Sequence, residues 1–280
     1  MISFITTGRY DNYGGDDYIE RFYTSVSENL KIIEGANIKY EYLICEWNPI
    51  NNYLYNEKKY FQKLFSENKN LKDIIIDKSV VLAERLSPDI YYEYFAKNAG
   101  LREGSFDFLI LLNSDIIIPI NTLNDIIQEI KNHKPKTYYR PKFITHIKKN
   151  LSQIRKQDLI NPLMPFSFIS GHSGGDFLVA KKNELIEYGR GYDEQNEGHR
   201  SSYKQHHMDT EIMYNMHFSG CSLKFLNNEY LHIAHSHENS AYDNTSNYSG
   251  YKNKECWGFI QYPRKKIEDN LTIIYNEEGN

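Results

Sequence analysis

The segment FDFLILLNSD, residues 106–115, indicates the fold class. Its apolar run, 106–112, is nearly continuous and does not alternate with polar residues, which is typical of a strand covered on both faces. The run leads directly into the triplet Asn113-Ser114-Asp115. In open α/β sheets, ligands bind beyond the carboxyl ends of such strands. We therefore expect Asp115 to project into a ligand crevice.

Short apolar runs alternate with helical patterns around this strand. Further strands are predicted at 2–6, 40–46, 72–77, 137–140, 177–180 and 223–226. Helices are predicted at 17–33, 58–65, 91–102, 122–131 and 209–218, where apolar residues recur at helical spacing. Strand–helix alternation of this kind predicts a mostly parallel α/β sheet with helices on both sides, and we expect a single domain.

Composition excludes several classes of protein. A chain of 280 residues can bury a core without disulfide or metal support. Its 33 Lys and Arg against 37 Asp and Glu give a formal charge of -4, which provides no broad attraction for nucleic acid or anionic lipid. Three cysteines without paired spacing argue against a disulfide framework. We expect neither a signal peptide nor a transmembrane segment, and we expect a cytoplasmic protein of unknown oligomeric state.

Asp115 and a group of histidines are the candidates for metal chemistry. A carboxylate at the end of a buried strand can hold Mg²⁺ or Mn²⁺ against a diphosphate. The structural alternative is a turn in which Asp115 only accepts hydrogen bonds from nearby backbone amides. Seven of the 10 histidines lie between 199 and 237, but their spacing is not that of a zinc finger.

The motif AKNAGL, 96–101, lies upstream of the central strand. A run of the type A-[KR]-N-x-G, followed by an apolar strand and an acidic triplet, resembles the donor-binding half of GT-A glycosyltransferases, in particular the inverting family 2-like group. Segments 2–9 and 43–47 are similar to the first strand and the second, acidic-ended strand of that family. The resemblance implies a Rossmann-like mixed sheet of GT-A type, flanked by helices.

The resemblance also implies a division of labour along the chain. Its parts would be a nucleotide-sugar-binding half, 1–119, an acceptor-binding and catalytic half, 120–235, and a mobile lid with a C-terminal tail, 236–280. The implied nucleotide-binding residues are Thr6, Thr7, Arg9, Glu46, Lys97, Asn98, Asn113 and Ser114. The implied metal ligands are Asp115 and His235, with Mn²⁺ favoured over Mg²⁺; His235 ends a segment, 230–235, that resembles a late strand of the family, and His237 is the next candidate. The implied sugar contacts are Gly174, Gly175 and Asp176.

One position departs from the family pattern. Asn113 stands where the usual D-x-D triplet has its first aspartate. Asparagine brings no negative charge, so the metal would rest mainly on Asp115 and on a ligand from the second half of the chain.

The catalytic candidates open the helix predicted at 209–218. Carboxylates in a first helical turn are common because they complement the helix dipole, which is the structural alternative here. The position of Asp209 after the GYDE turn, 191–194, matches the acidic pair of inverting GT-A enzymes, which implies that Asp209 is the general base and Glu211 its substitute. The implied reaction transfers a sugar from a nucleotide-diphosphate sugar, UDP-sugar favoured, to a hydroxyl of a glycan or other acceptor.

Two other functions remain open at this point. Gly171, Ser173 and Gly175 fit the G-x-S-x-G elbow of serine hydrolases, and Asp209 and His235 follow in the order of that triad. The elbow requires a long helix after the serine, whereas the residues that follow favour a strand. A non-catalytic carbohydrate-binding protein is the second alternative.

Overall fold

The computed structural model describes residues 1–10, 17–50, 53–158, 177–194, 208–235 and 255–277. The strands are β1 (Ile2–Gly8), β2 (Tyr40–Trp47), β3 (Leu71–Ile76), β4 (Phe108–Leu112), β5 (Ile116–Ile117), β6 (Thr137–Ile147), β7 (Gln153–Asp158), β8 (Phe177–Lys181), β9 (Ser222–Ile233), β10 (Arg264–Glu268) and β11 (Leu271–Ile274). The helices are α1 (Tyr18–Gly35), α2 (Phe61–Glu67), α3 (Lys78–Ala83), α4 (Glu93–Glu103), α5 (Ile120–Lys131), α6 (Lys182–Glu184) and α7 (Met208–Phe218). A 3₁₀ turn covers Leu54–Asn56, and a π turn, Leu185–Gly189, continues α6.

All strands belong to one mixed sheet in the order β10-β11-β3-β2-β1-β4-β8-β6-β9-β5, with β7 paired to β6. Strands β11, β3, β2, β1 and β4 are parallel to one another. Strand β8 is antiparallel to β4 and to β6, and β9 is parallel to β6. The carboxyl ends of β1, β2, β4 and β9 therefore lie at the same edge of the sheet. This arrangement confirms the predicted mixed α/β fold class.

The two faces of the sheet are covered by separate hydrophobic cores. Phe4 and Ile110 pack with Phe22 of α1 on one face, whereas Ile5 packs with Phe95 of α4 on the other. Successive residues of β1 thus enter opposite cores, as the two-residue period of a strand requires. The central strands are apolar on both sides for this reason.

Gly100 sets the distance between α4 and the sheet. A Cβ atom at this position would lie 2.5 Å from Sγ of Cys45 and 2.5 Å from Cγ2 of Ile5. A glycine is therefore needed for the close packing of α4 on β1 and β2.

The C-terminal region differs from the prediction. Part of the expected lid and tail, 236–280, forms β10 and β11, which extend the sheet beyond β3. Leu271 and Ile274 are buried, but β10 is an exposed and highly charged edge strand without an apolar period, so the sequence carries little strand signal there. The central part of the predicted lid, 236–254, lies outside the described residues. Every helix in the described part is too short or too polar to span a bilayer.

Candidate active site

Asp115, His232 and His235 lie together at the carboxyl edge of the sheet. The Nε2 atoms of His235 and His232 are 3.0 Å and 3.4 Å from Oδ2 of Asp115. The potential ligand atoms of the three residues all lie within 4.8 Å of one another. Two ligands at right angles around a cation, each bound at about 2.1 Å, are roughly 3 Å apart. The cluster therefore fits the shell of one divalent cation.

Pairing of β5 with β9 builds this cluster. Asp115 directly precedes β5, and Ile116 of β5 is the register partner of His232. The backbone N–H of Ile233 donates to the carbonyl of Asp115 at 3.0 Å. His235 follows two residues later, just beyond the end of the strand. A strand of two residues thus fixes the end of the β4 triplet against the end of β9.

Buried polar groups of α1 hold β5 in place. Oγ of Ser25 and Nδ2 of Asn29 donate to the carbonyl of Ile116 at 2.7 and 2.8 Å. Oδ1 of Asn29 accepts a hydrogen bond from the backbone N–H of Ile118 at 2.8 Å. These hydrogen bonds satisfy backbone groups that would otherwise be buried without partners, so the position of the metal cluster depends on α1 as well as on the sheet.

The electrostatics of the cluster keep Asp115 charged. Burial raises the pKa of Asp115, but hydrogen bonding and charge interaction with His232 and His235 outweigh it and hold the pKa well below its usual range. Arg21 of α1 is a nearby buried cation, whose pKa is lowered by burial and raised by the charge of Asp115. An ionised carboxylate between two imidazoles is the state that a cation would bind.

The first residue of the triplet, Asn113, contacts a buried lysine. Lys97 of α4 is fully buried, and its Nζ lies 2.8 Å from Oε1 of Glu93 and donates to Oδ1 of Asn113. The rings of Tyr94 and Tyr192 surround the ammonium, with centroids 5.0 and 5.9 Å away. The structure therefore places a positive charge, balanced by Glu93, against the position where the family pattern has an aspartate.

Three of the predicted nucleotide contacts lie at the carboxyl end of β1. Thr6 and Thr7 are buried, and their hydroxyls make no hydrogen bond within the described part of the chain. The Nη1 and Nη2 atoms of Arg9 each lie 3.4 Å from the carbonyl oxygen of Asp89, and the guanidinium stands 5.7 Å from the ring centroid of Tyr91. The structure brings these side chains to the expected edge, one strand away from Asp115, and their roles remain predictions.

Glu46, at the end of β2, belongs to a buried pair of carboxyl groups. It accepts hydrogen bonds from the backbone N–H of Leu54 at 2.9 Å and of Tyr10 at 3.2 Å. Asp73 of β3 is also fully buried and accepts from the N–H of Tyr55 at 3.3 Å. Burial and the neighbouring charge of Asp73 raise the pKa of Glu46 well above its usual range, and burial raises the pKa of Asp73 to about 7. Both carboxyl groups therefore keep their protons to a higher pH than an exposed carboxyl group does.

Asn98 joins α4 to the GYDE turn. Its Nδ2 donates to the carbonyl of Tyr192 at 2.9 Å and to Oε1 of Glu194 at 2.6 Å, and its Oδ1 accepts from the N–H of Tyr192 at 2.8 Å. Gly191 has a φ of 70°, and a Cβ there would lie 2.7 Å from Oδ1 of Asn98. Glu194 in turn accepts from the N–H of Gly258 at 3.0 Å. The amide of Asn98 is thus engaged within the protein, and its contact with a nucleotide remains a prediction.

The predicted catalytic residues open helix α7, as expected from the sequence. Asp209 and Glu211 lie in its first turn. The helix is anchored further along, where Nδ2 of Asn215 donates to the carbonyl of Gly189 at 3.1 Å and Ile212 is buried. Gly174, Gly175 and Asp176 lie outside the described residues, as does the serine of the hydrolase motif.

Two residues of the site were not assigned from the sequence. His232 was grouped with the other histidines, but only His235 was assigned to the metal; the signal was the H-x-x-H spacing at the end of the last predicted strand. Asp73 was treated as part of an apolar strand. Its one signal was a carboxylate in the middle of an otherwise apolar run, LKDIII.

Comparisons with known proteins bear on the fold. A crystal structure of S. aureus TarS, residues 1–349, superposes with a TM-score of 0.51 at 14% sequence identity, over 83% of this chain and 60% of that one. The fold is that of GT-A glycosyltransferases. A second structure of S. aureus TarS gives a TM-score of 0.49 at 13% identity, over 83% of this chain and 36% of that one. This chain thus spans less than two thirds of either TarS chain. No protein-family profile and no curated protein matches the sequence.

Proposed function

We propose that this chain is a metal-dependent glycosyltransferase that moves a sugar from a nucleotide-diphosphate sugar, UDP-sugar favoured, to a hydroxyl acceptor with inversion at the anomeric carbon. The observation that carries the proposal is the cluster of Asp115, His232 and His235 at the carboxyl edge of a GT-A sheet. Ligands of open α/β sheets bind at this edge.

The donor set favours Mn²⁺ over Mg²⁺. Imidazole nitrogens suit transition metals, whereas Mg²⁺ prefers oxygen ligands and retains several waters. Two imidazoles with one carboxylate are therefore more suited to Mn²⁺. When bound there, the cation would supply positive charge for the departing diphosphate.

The residues of the chain itself would divide the remaining work. Asp209 at the start of α7 would take the proton of the acceptor hydroxyl as that oxygen attacks, with Glu211 as its substitute. Attack from the face opposite the leaving diphosphate inverts the anomeric carbon. Thr6 and Thr7 on β1, with Arg9 directly after that strand, would hold the nucleotide. Glu46, at the end of β2, would contact the base of the nucleotide.

The hydrolase alternative has less support in the structure. Strand β8 begins at Phe177, two residues after the last glycine of the G-x-S-x-G motif, whereas a nucleophile elbow leads into a helix. His235, the histidine of the proposed triad, contacts Asp115 instead.

The decisive experiment measures donor consumption with and without a chelator. We expect UDP-sugar turnover with Mn²⁺, loss of turnover in EDTA, and recovery when Mn²⁺ is restored. Asp115→Asn should lower turnover by about a thousandfold, because the cation that stabilises the leaving diphosphate loses its carboxylate ligand.

Asp107→Asn is the matched control, because Asp107 is an exposed carboxylate at the other end of β4. It should keep the activity of the unchanged protein. Turnover that survives both EDTA and Asp115→Asn would contradict the proposal. So would activity lost on Ser173→Ala toward an ester substrate, with no response to Mn²⁺.

A further inference from the structure

The formal charge of the chain conceals a strong segregation of charge. Residues 131–157 contain nine of the 33 Lys and Arg and none of the 37 Asp and Glu. Most of this stretch is the β6–β7 hairpin, in which β7 pairs with the second half of β6 in the described part of the chain. A hairpin of this composition is an anion-attracting surface on an otherwise acidic protein.

The tip of the hairpin presents an apolar side chain in a costly backbone conformation. Leu151 has a φ of 64°, in the left-handed region that favours glycine or asparagine. Its N–H donates to the carbonyl of Lys148 at 2.8 Å, and the N–H of Lys148 donates to the carbonyl of Ser152 at 2.8 Å, so the turn is well formed. Yet Leu151 is 45% exposed and gains little burial in return.

Exposed apolar and cationic side chains lie close together along this segment, 148–156. Ile154 is 53% exposed. Lys148 is exposed and takes part in no ion pair within the described residues, whereas Lys149 pairs with Glu20 and Lys156 pairs with Glu229 at 2.8 Å. Exposed apolar side chains flanked by cations match the interface of an anionic bilayer, where the apolar groups enter the acyl boundary and the cations meet headgroup phosphates.

The hairpin is also connected directly to the metal cluster. The ring of His146 on β6 lies 5.1 Å, centroid to centroid, from the ring of His232. The carbonyl of Ile147 accepts from the N–H of Ala234 at 2.8 Å. Lys148 is the next residue, so the cationic tip starts about 7 Å along the strand from His146. A surface held at the tip would therefore lie beside the cluster.

We propose that the tip of the β6–β7 hairpin, Lys148–Ile154, docks this protein onto an anionic phospholipid surface, with Leu151 inserted and Lys148 against the phosphates. The docking itself does not depend on the proposed transferase activity. Where that activity holds, docking would direct the site toward an acceptor carried at the membrane surface.

The test is cosedimentation of the full chain with vesicles of phosphatidylcholine, with and without phosphatidylglycerol. We expect pelleting only with phosphatidylglycerol, and release at high salt because the screening length falls from about 10 Å at 0.1 M to about 3 Å at 1 M ionic strength. Leu151→Asn should weaken binding about tenfold by removing the inserted side chain. Lys148→Gln should weaken it about fivefold.

Two matched controls separate docking from general effects. Leu82→Asn makes the same change at a leucine that is 54% exposed on α3, and Lys63→Gln makes the same charge change on α2. Both should pellet like the unchanged protein. Leu151→Asn should not lower the urea midpoint of unfolding, because asparagine tolerates the left-handed conformation.

Three results would overturn the proposal. Equal pelleting with neutral vesicles would show that binding does not depend on anionic lipid. Unchanged pelleting of Leu151→Asn would show that Leu151 does not insert into the bilayer. Binding to inorganic polyphosphate without binding to vesicles would assign the hairpin to a soluble polyanion instead. Each result is readable whether or not the protein turns over a UDP-sugar, so this proposal and the proposed function fail separately.

Discussion

Two carboxyl sites at the same edge of the sheet are built in opposite ways. Asp115, after β4, lies against two imidazoles, and the pKa of its carboxyl is held well below its usual range despite burial. Glu46, at the end of β2, lies against Asp73, and burial together with that neighbouring charge raises its pKa well above its usual range. Only β1 separates the two strands.

The difference in pKa suits the two carboxyl sites at this edge of the sheet to different ligands. A carboxylate that stays ionised can bind a cation and, through it, a diphosphate. A carboxyl group that stays protonated presents both a donor and an acceptor, which suits a neutral ring that carries both kinds of group. We therefore assign the metal to the Asp115 site and the nucleotide base to the Glu46 site, as part of the proposed function.

The largest expected effect comes from the Glu46–Asp73 site and concerns the free energy of unfolding between acid and neutral pH. The unfolded chain loses the proton of Asp73 near its ordinary pKa of 3.8, whereas the folded chain holds it up to about 7. Between these values the unfolded state binds fewer protons, so the free energy of unfolding falls as pH rises, by about 1.4 kcal/mol per pH unit and up to about 4 kcal/mol in total. The stability contributed by Asp73 is thus complete below about pH 4 and lost by about pH 7, and the raised pKa of Glu46 adds a loss of the same sign as pH rises.

Asp73→Asn should reduce this pH dependence, because the Asp73 carboxyl is gone and its charge no longer raises the pKa of Glu46, whereas the rise caused by burial of Glu46 remains. Urea unfolding at a series of pH values between 4 and 8 measures the effect. Asp107→Asn, which changes an exposed carboxylate, should follow the curve of the unchanged protein. If Asp73→Asn also followed that curve, the pKa of Asp73 would not be raised in the folded protein.

A second prediction concerns the helix that supports both sites. Helix α4 carries Lys97 beside the triplet and packs through Gly100 on Cys45, the neighbour of Glu46. Gly100→Ala should lower the free energy of unfolding by about 1–2 kcal/mol, because overpacking outweighs the better helix propensity of alanine.

Gly35→Ala is the control for Gly100→Ala, since Gly35 ends α1 with nothing within 4 Å of an added Cβ. It should leave stability unchanged or raise it slightly. Unfolding by urea gives both values. A Gly100→Ala protein as stable as the unchanged one would mean that α4 can move away from the sheet at no cost.

The sequence was sufficient to predict site residues that lie directly after a strand with a clear apolar pattern. The apolar run 108–112 and the triplet after it located Asp115, because ligands of an α/β sheet lie beyond the carboxyl ends of its strands. His235 was assigned from the resemblance of segment 230–235 to a late strand of the family, and the structure places it just beyond the end of β9. His232 was not assigned because its approach to Asp115 depends on β5, which has two residues and no period to detect.

Side-chain contacts between residues far apart in the sequence could not be predicted for a related reason. Asn98 and Glu194 form one hydrogen bond across 96 positions, and no local pattern in either segment indicates it. Strand β10, RKKIE, is an exposed edge with charged residues on both faces, so its position was set by pairing with β11 and not by its own propensity. Pairing partners, rather than residue types, were the missing information in each case.

The smallest predicted effect is on cation affinity, when one negative charge is added to the Asp115 site and the Glu46 site is left unchanged. Asn113→Asp would restore the D-x-D pattern at the metal site and place a carboxylate beside Lys97. Cation affinity rises with the charge of the ligand set, so we expect Mn²⁺ to bind about tenfold more tightly by calorimetry. Asn132→Asp adds the same charge at the exposed end of α5 and should leave the affinity unchanged.

The interpretation of Asn113→Asp depends on the charge of Lys97, which contacts residue 113. The ammonium is already balanced by Glu93, so a second carboxylate at 113 would leave the local charge one unit more negative and available to a cation. Tighter Mn²⁺ binding would show that the neutral Asn113 weakens a site that rests on Asp115 and two histidines. Unchanged binding would place Asn113 outside the metal shell, with Lys97 directing its side chain toward the α4 side of the crevice, and the D-x-D comparison would then apply to Asp115 alone.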